Sequence, residues 1–99
     1  MKGVTTLKEL KVELFGMARR LAQTKEVDIT VGDTDTFRDV VRALAQKFPA
    51  FLGHIIAPDT YDLIEPYFLN VDARRVVHDL DEIPEEGKPL LLLFVDAGG

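Results

Sequence analysis

Cysteine is absent from all 99 residues of this chain. The absence excludes disulfides, zinc ribbons, cysteine-ligated clusters, cysteine nucleophiles and persulfide carriers together, because each needs a sulfur side chain. Long apolar stretches are missing as well. The longest aliphatic or aromatic run, residues 90–95, falls far short of the roughly 20 residues a membrane-spanning helix requires. The opening MKGVTTLKELKVELFG is broken by charge and lacks the continuous apolar core of a secretory signal. Positive charge is scarce: 12 Lys and Arg stand against 17 Asp and Glu, a net charge of −5. That balance works against phosphate-backbone binding, which rests on cations neutralising phosphates, and the pairs Arg19-Arg20 and Arg74-Arg75 are too small to reverse it. The expectation is a soluble, cytoplasmic protein with no nucleic-acid and no membrane partner.

Catalytic and metal-binding patterns are equally thin. His54 and His78 lie far apart, without ligand spacing. The acidic residues Asp79, Asp81, Glu82, Glu85 and Glu86 do not match the spacing of a calcium loop and read as a solvated turn. Neither a glycine-rich phosphate loop nor a nucleophile elbow occurs. No metal, no bound cofactor and no autonomous enzymatic activity are therefore expected.

The residues that are present describe one α+β domain over positions 1–99. A hydrophobic content of 46% in a chain of this length supports one real core but not two. Leu10, Val12 and Leu14 alternate with Lys11 and Glu13, the period-2 signature of a strand with one buried face. Val27, Ile29 and Val31 repeat the pattern, so a second strand pairs with the first as a wide hairpin, with residues 16–24 as a connection of weak helical character. Thr36-Phe37-Arg38-Asp39 has the form of a capping box, and Phe37, Val40, Val41, Leu44, Ala45 and Phe48 then recur at three- and four-residue spacing until Pro49 stops the helix. Residues 50–65 read as a loop with one short helical turn covering an edge of the core. Three more strands follow, at 67–71, 75–77 and 90–95, with a turn over 83–88 that is sharpest at Gly87. The order predicts a mixed sheet of about five strands packed on one main helix.

Residues 90–95, LLLLFV, are apolar at both parities of a strand. A sheet covered on one side should alternate. Two readings fit: a central strand hidden on its second face by residues 50–65 or by a second copy of the chain, or an exposed apolar patch that docks a partner.

Beyond this run the sequence ends in Gly98-Gly99. With glycine at about 7% of residues, a pair at the last two positions arises by chance in roughly 0.5% of chains; the plain alternative is a chain truncated there. Glycine lacks Cβ, so such a tail, residues 96–99, is flexible, threads a narrow channel and leaves its final carbonyl unhindered. These are the demands of a carboxyl terminus that reacts. A carboxylate becomes an acyl donor once its oxygen is made a leaving group, as in an acyl adenylate formed with ATP. Sulfide, a thiol or an amine then displaces the nucleotide.

Taken together, Val12-Glu13-Leu14-Phe15-Gly16 in the first strand, the capped helix ending Leu44-Ala45-Gln46-Lys47-Phe48-Pro49, the strand with Leu69-Asn70-Val71 and the Gly98-Gly99 end resemble the small ubiquitin-like sulfur carriers. These comprise the small subunit of molybdopterin synthase and its thiamine-pathway relative, and the resemblance is closer to the former. It implies a β-grasp fold. It also implies that Gly99 is adenylated by an ATP-using, ubiquitin-activating-like enzyme and converted to a thiocarboxylate, Gly98 giving flexibility and access. A large catalytic subunit of molybdopterin synthase would then receive the tail and direct the sulfur. The alternatives are a ubiquitin-like modifier joined through Gly99 to lysines, or a sulfur carrier for another pathway such as thiamine, cysteine or tRNA thiolation.

Overall fold

Alternating apolar residues make two strands that can bury only one face each, and the fold solves this by laying helices across that face. The computed structural model describes residues 6–95. Strand β1 (Leu7–Leu14) pairs antiparallel with β2 (Glu26–Gly32), Leu10 opposite Ile29 and Val12 opposite Val27. Between them lies a short helix, α1 (Met17–Ala22). Helix α2 (Phe37–Lys47) and a 3₁₀ turn (Pro49–Phe51) follow, then β3 (Tyr67–Val71), β4 (Arg75–Val76) and β5 (Leu90–Phe94). The five strands run in the order β2-β1-β5-β3-β4. Strand β5 lies parallel to β1 and antiparallel to β3, which makes the sheet mixed and β5 its centre.

The capping box at the start of α2 forms as its residues require. Asp39 N–H donates to Thr36 Oγ1 at 3.3 Å, and Thr36 N–H donates to Asp39 Oδ2 at 2.9 Å. Two further first-turn amides find carbonyls in the 79–82 loop: Phe37 N–H donates to Glu82 O at 2.9 Å and Arg38 N–H to Leu80 O at 2.8 Å. All four unsatisfied donors of a helix start need such partners. The apolar stripe Phe37, Val40, Val41, Leu44 and Ala45 is buried against Leu10, Val12, Leu14, Leu69, Leu90 and Leu92 of the sheet, in one continuous core. Each such aliphatic or aromatic side chain contributes about 1.5–3 kcal/mol by leaving water.

Three elements differ from the sequence expectation. Residues 16–24, expected as a connection, hold α1. Its buried face is built mainly of small residues, Ala18 with Leu21 and Ala22, so the periodic signal is faint while the packing is tight. The helix ends where Gln23 turns left-handed and donates its N–H to Arg19 O at 2.8 Å. The first strand begins at Leu7, earlier than the Leu10 alternation suggested, because Lys8 shares the buried parity of Leu10 and Val12. Val77 leaves the β4 ladder after Val76 yet is buried and donates to Leu69 O at 2.9 Å. The short turn expected within 50–65 is the 3₁₀ turn, and Phe51, Ile55 and Ile56 behind it are fully buried. That segment packs with α1 and α2, on the helical side of the sheet.

Candidate functional site: the end of the central strand

Because β5 and β1 are parallel and β3 is antiparallel to them, the last residues of β5 and β1 and the first of β3 meet at one rim of the sheet. Here the chain passes from Phe94 to Val95 and on toward the tail. Gly98 and Gly99, the two site residues read from the sequence, lie outside the described residues with the rest of 96–99. The rim from which they follow is described in full.

Phe94 is the register partner of Tyr67, and their rings lie 5.7 Å apart at 53°. The Phe94 ring also rests against Gly16, the residue that turns the chain from β1 into α1. Gly16 has φ 61° and ψ −131°, a combination that glycine alone adopts without strain. A Cβ at this position would collide with the Phe94 ring. Next to it, the Arg19 guanidinium lies 5.4 Å over the Phe15 ring and its Nε donates to Leu14 O at 3.1 Å. Val95 N–H donates to Pro66 O at 3.3 Å, which extends the β3–β5 pairing one step past the strand. Beside that bond a shallow hollow of about 360 Å³ is lined by Glu65, Pro66, Tyr67, Phe68 and Val95.

The open face of the sheet carries the other parity of β5. Leu91 stands between Glu13 and Asn70, and Leu93 opposite Phe68. Both leucines are half-buried, whereas Phe94 and Val95 are 43% and 57% exposed. The apolar run is thus a central strand, and the buried part of the 50–65 segment lies on the opposite side, not over Leu91 and Leu93. An apolar strip from Leu91 to Val95 meets solvent at the rim where the tail begins. On the β1–β2 side that face turns charged, with Glu9, Lys11, Glu13, Asp28 and Lys88 around a hollow of about 430 Å³.

Other chemistry-bearing residues stand apart from this rim. His54 and His78 are both exposed, one after the 3₁₀ turn and one after β4. Among the described residues no group of three His, Cys, Asp or Glu is placed to hold a metal ion. The acidic 79–86 segment is a turn whose carboxylates take cationic partners: Asp81 pairs with Arg38 at 3.1 Å, Glu82 with Arg75 at 3.2 Å and Glu85 with Lys88 at 3.0 Å. The Lys88 ammonium, chiefly by its hydrogen bond, holds the Glu85 carboxyl below its ordinary range. No helix among the described residues is long and apolar enough to cross a membrane.

From the sequence, Gly16 stands out only as the end of the Val12–Gly16 stretch, and neither Tyr67 nor Pro66 takes a role at the site. Gly16 carried a signal, since a glycine straight after an alternating strand marks a backbone position with special torsions. The contact between Gly16 and Phe94 carried none, because it depends on the parallel pairing of β1 with β5.

Solved structures place this geometry among known ones. The small archaeal modifier protein 1 of Haloferax volcanii superposes with a TM-score of 0.78 at 22% identity, over 92% of this chain and 99% of that one. Its counterpart from Methanosarcina acetivorans gives 0.74 at 23% identity, over 94% and 98%. A Pyrococcus furiosus protein assigned as molybdopterin converting factor, subunit 1, gives 0.67 at 22%, over 86% and 94%. The chain has their fold, the ubiquitin-like β-grasp. The β-grasp fold that the sequence resemblance implied is therefore the fold observed. No protein-family model and no curated protein matches the chain.

Proposed function

We propose that this β-grasp protein is a sulfur carrier: Gly99 is adenylated by an ATP-using partner and converted to a thiocarboxylate. The observation that carries the reading is the place where the described chain leaves the sheet, at Val95. The chain leaves the central strand at an apolar rim, four residues of sequence, Asp96-Ala97-Gly98-Gly99, follow Val95, and the fold is shared with a molybdopterin converting factor subunit. Four residues extend at most about 14 Å, so Gly99 works within that distance of Val95 while the Phe68, Leu93 and Val95 strip holds the partner.

In the first step an oxygen of the Gly99 carboxylate attacks the α-phosphorus of ATP and pyrophosphate leaves. Hydrosulfide, delivered by a donor, then attacks the acyl carbon; AMP departs and a thiocarboxylate remains. The protein's own part is to present an unhindered carbonyl. Glycine does this because nothing branches from Cα. No side chain of this chain is assigned to the chemistry, which makes the protein a co-substrate of a sulfurtransferase complex and not an enzyme by itself.

The acceptor pathway we favour is molybdopterin synthesis in the cytoplasm, with the chain as small subunit beside a large catalytic one, on the strength of the Pyrococcus neighbour. Incubation of the purified protein with its host's large subunit, thiocarboxylated and carboxylated in parallel, tests this: only the thiocarboxylate should convert the pterin precursor. An isopeptide adduct to lysine, in place of sulfur transfer, would instead support a modifier.

A further inference from the structure

The rim has a feature that tail chemistry alone does not require. Gly16 is held at torsions costly for any other residue, far from the glycine pair in sequence, and the space its missing side chain leaves is filled by the Phe94 ring. Torsions open only to glycine mark a place where the backbone path or a close approach demands it, and they are a pointer to a role. Phe94 is also the last residue of β5. Its ring contacts Gly16 of the β1–α1 turn and Tyr67 of β3, and the next residue is held by the Val95 N–H to Pro66 O bond. The end of the central strand is therefore anchored to both neighbours just before the tail.

We propose that Gly16 is a positioning residue for the C-terminal reaction: it seats the Phe94 ring, and the seated ring fixes the point and direction at which the chain leaves the sheet at Val95. The proposal rests on the carrier reading for its chemistry. A reacting group displaced by about 1 Å loses as much as 100-fold in rate, so an anchored start halves the problem of placing a four-residue arm. A loose start would let the arm sample orientations that the activating site cannot use. Phe94 is 43% exposed, so its ring is open to direct contact by a partner as well; Gly16 acts only through the ring.

A double-mutant cycle in the full-length protein tests the seat, with Gly16→Ala, Phe94→Ala and the pair. The first readout is amide exchange of Val95 in the free protein, with Leu92 as an internal check that the sheet is intact. The second is adenylation of Gly99 by the host activating enzyme, followed as pyrophosphate release and resolved into kcat and KM. Each single substitution should speed Val95 exchange about tenfold, the scale of a local opening, and leave Leu92 protected. Gly16→Ala should lower kcat about tenfold with KM within twofold, the pattern of lost positioning. In the Phe94→Ala background the same change should add only the backbone cost of a Cβ at these torsions, well short of its effect in the wild type, because the ring it displaces is gone. Simple additivity of the two changes, or Val95 exchange unaltered in Phe94→Ala, overturns the proposal. If Gly16→Ala does not fold, Phe94→Ala alone decides through the exchange readout. Should the wild-type tail take no AMP from an active enzyme, the carrier reading fails, while the exchange cycle still reports on the seat.

Discussion

The ammonium of Lys8, on the buried face of β1, donates to the carbonyl oxygen of Pro84, 76 residues further along the chain. It reaches Asp33 O at 3.3 Å as well. One buried cation thereby ties the first strand, the turn before α2 and the acidic loop that leads into β5. Replacing Lys8 by Met keeps most of the volume and removes both donors, leaving two carbonyls short of a partner. Loss of a buried partner costs about 1–3 kcal/mol. In a domain of this size each kcal/mol lowers Tm by about 4–8 °C. Thermal unfolding of Lys8→Met checks this, and an unchanged Tm would mean the bonds contribute nothing net.

A second tie joins α2 to the loops above it. Arg38 donates to Asp62 Oδ1 at 2.5 Å, Thr60 O at 3.0 Å and Asp81 Oδ1 at 3.1 Å. The hydrogen bond from Arg38 is the largest cause holding the Asp62 carboxyl below its ordinary value near 3.8. A carboxyl depressed in the folded state stabilises that state above the unfolded value, and the contribution disappears as pH falls through the folded one. Asp62→Asn should therefore be less stable than wild type at neutral pH, the gap closing under acid below about pH 4. Asp62 is solvent-exposed, so the gap is small and shrinks with added salt. Denaturant midpoints for both proteins across pH give the answer; a gap that grows on acidification contradicts the assignment.

The capping box offers a cleaner local test. Thr36→Ala removes the acceptor for Asp39 N–H and should cost about 1 kcal/mol, while Thr36→Ser, which keeps the hydroxyl of a residue that caps at least as well, should leave stability essentially unchanged. Urea unfolding resolves the two.

How far the sequence revealed this protein depends on how local each feature is. Helix α2 and its cap, the β1–β2 hairpin and β3 were legible because each is specified by residues within a few positions of one another. Helix α1 was not, since its buried face is largely alanine and it packs on the 3₁₀ turn, which begins 27 residues beyond its end. Lys8 shows the converse: its charge argues for the surface, and the distant carbonyls of Pro84 and Asp33 make the buried parity tolerable. The double-faced apolar run at 90–95 announced a special strand. Its central position and the Gly16 seat under Phe94 come from the parallel pairing with β1, which no local pattern encodes.

The open face near the tail carries its own prediction. Leu93 is only half-buried, opposite Phe68, so Leu93→Glu should cost the fold about 1 kcal/mol or less. Binding to the activating enzyme should weaken at least about tenfold, because a charge would be set in the apolar strip that docks. Titration calorimetry against the purified enzyme, beside thermal unfolding, separates the two effects. Equal binding by the variant would move the docking surface elsewhere.

The central claim is that Gly99 carries sulfur. Intact mass of the purified protein, before and after incubation with ATP, a sulfur donor and its host's adenylating enzyme, tests it most directly. The account predicts the gain expected for one terminal oxygen replaced by one sulfur, absent when Gly99 is deleted. An unchanged mass, with an enzyme shown to be active on another carrier, would contradict it.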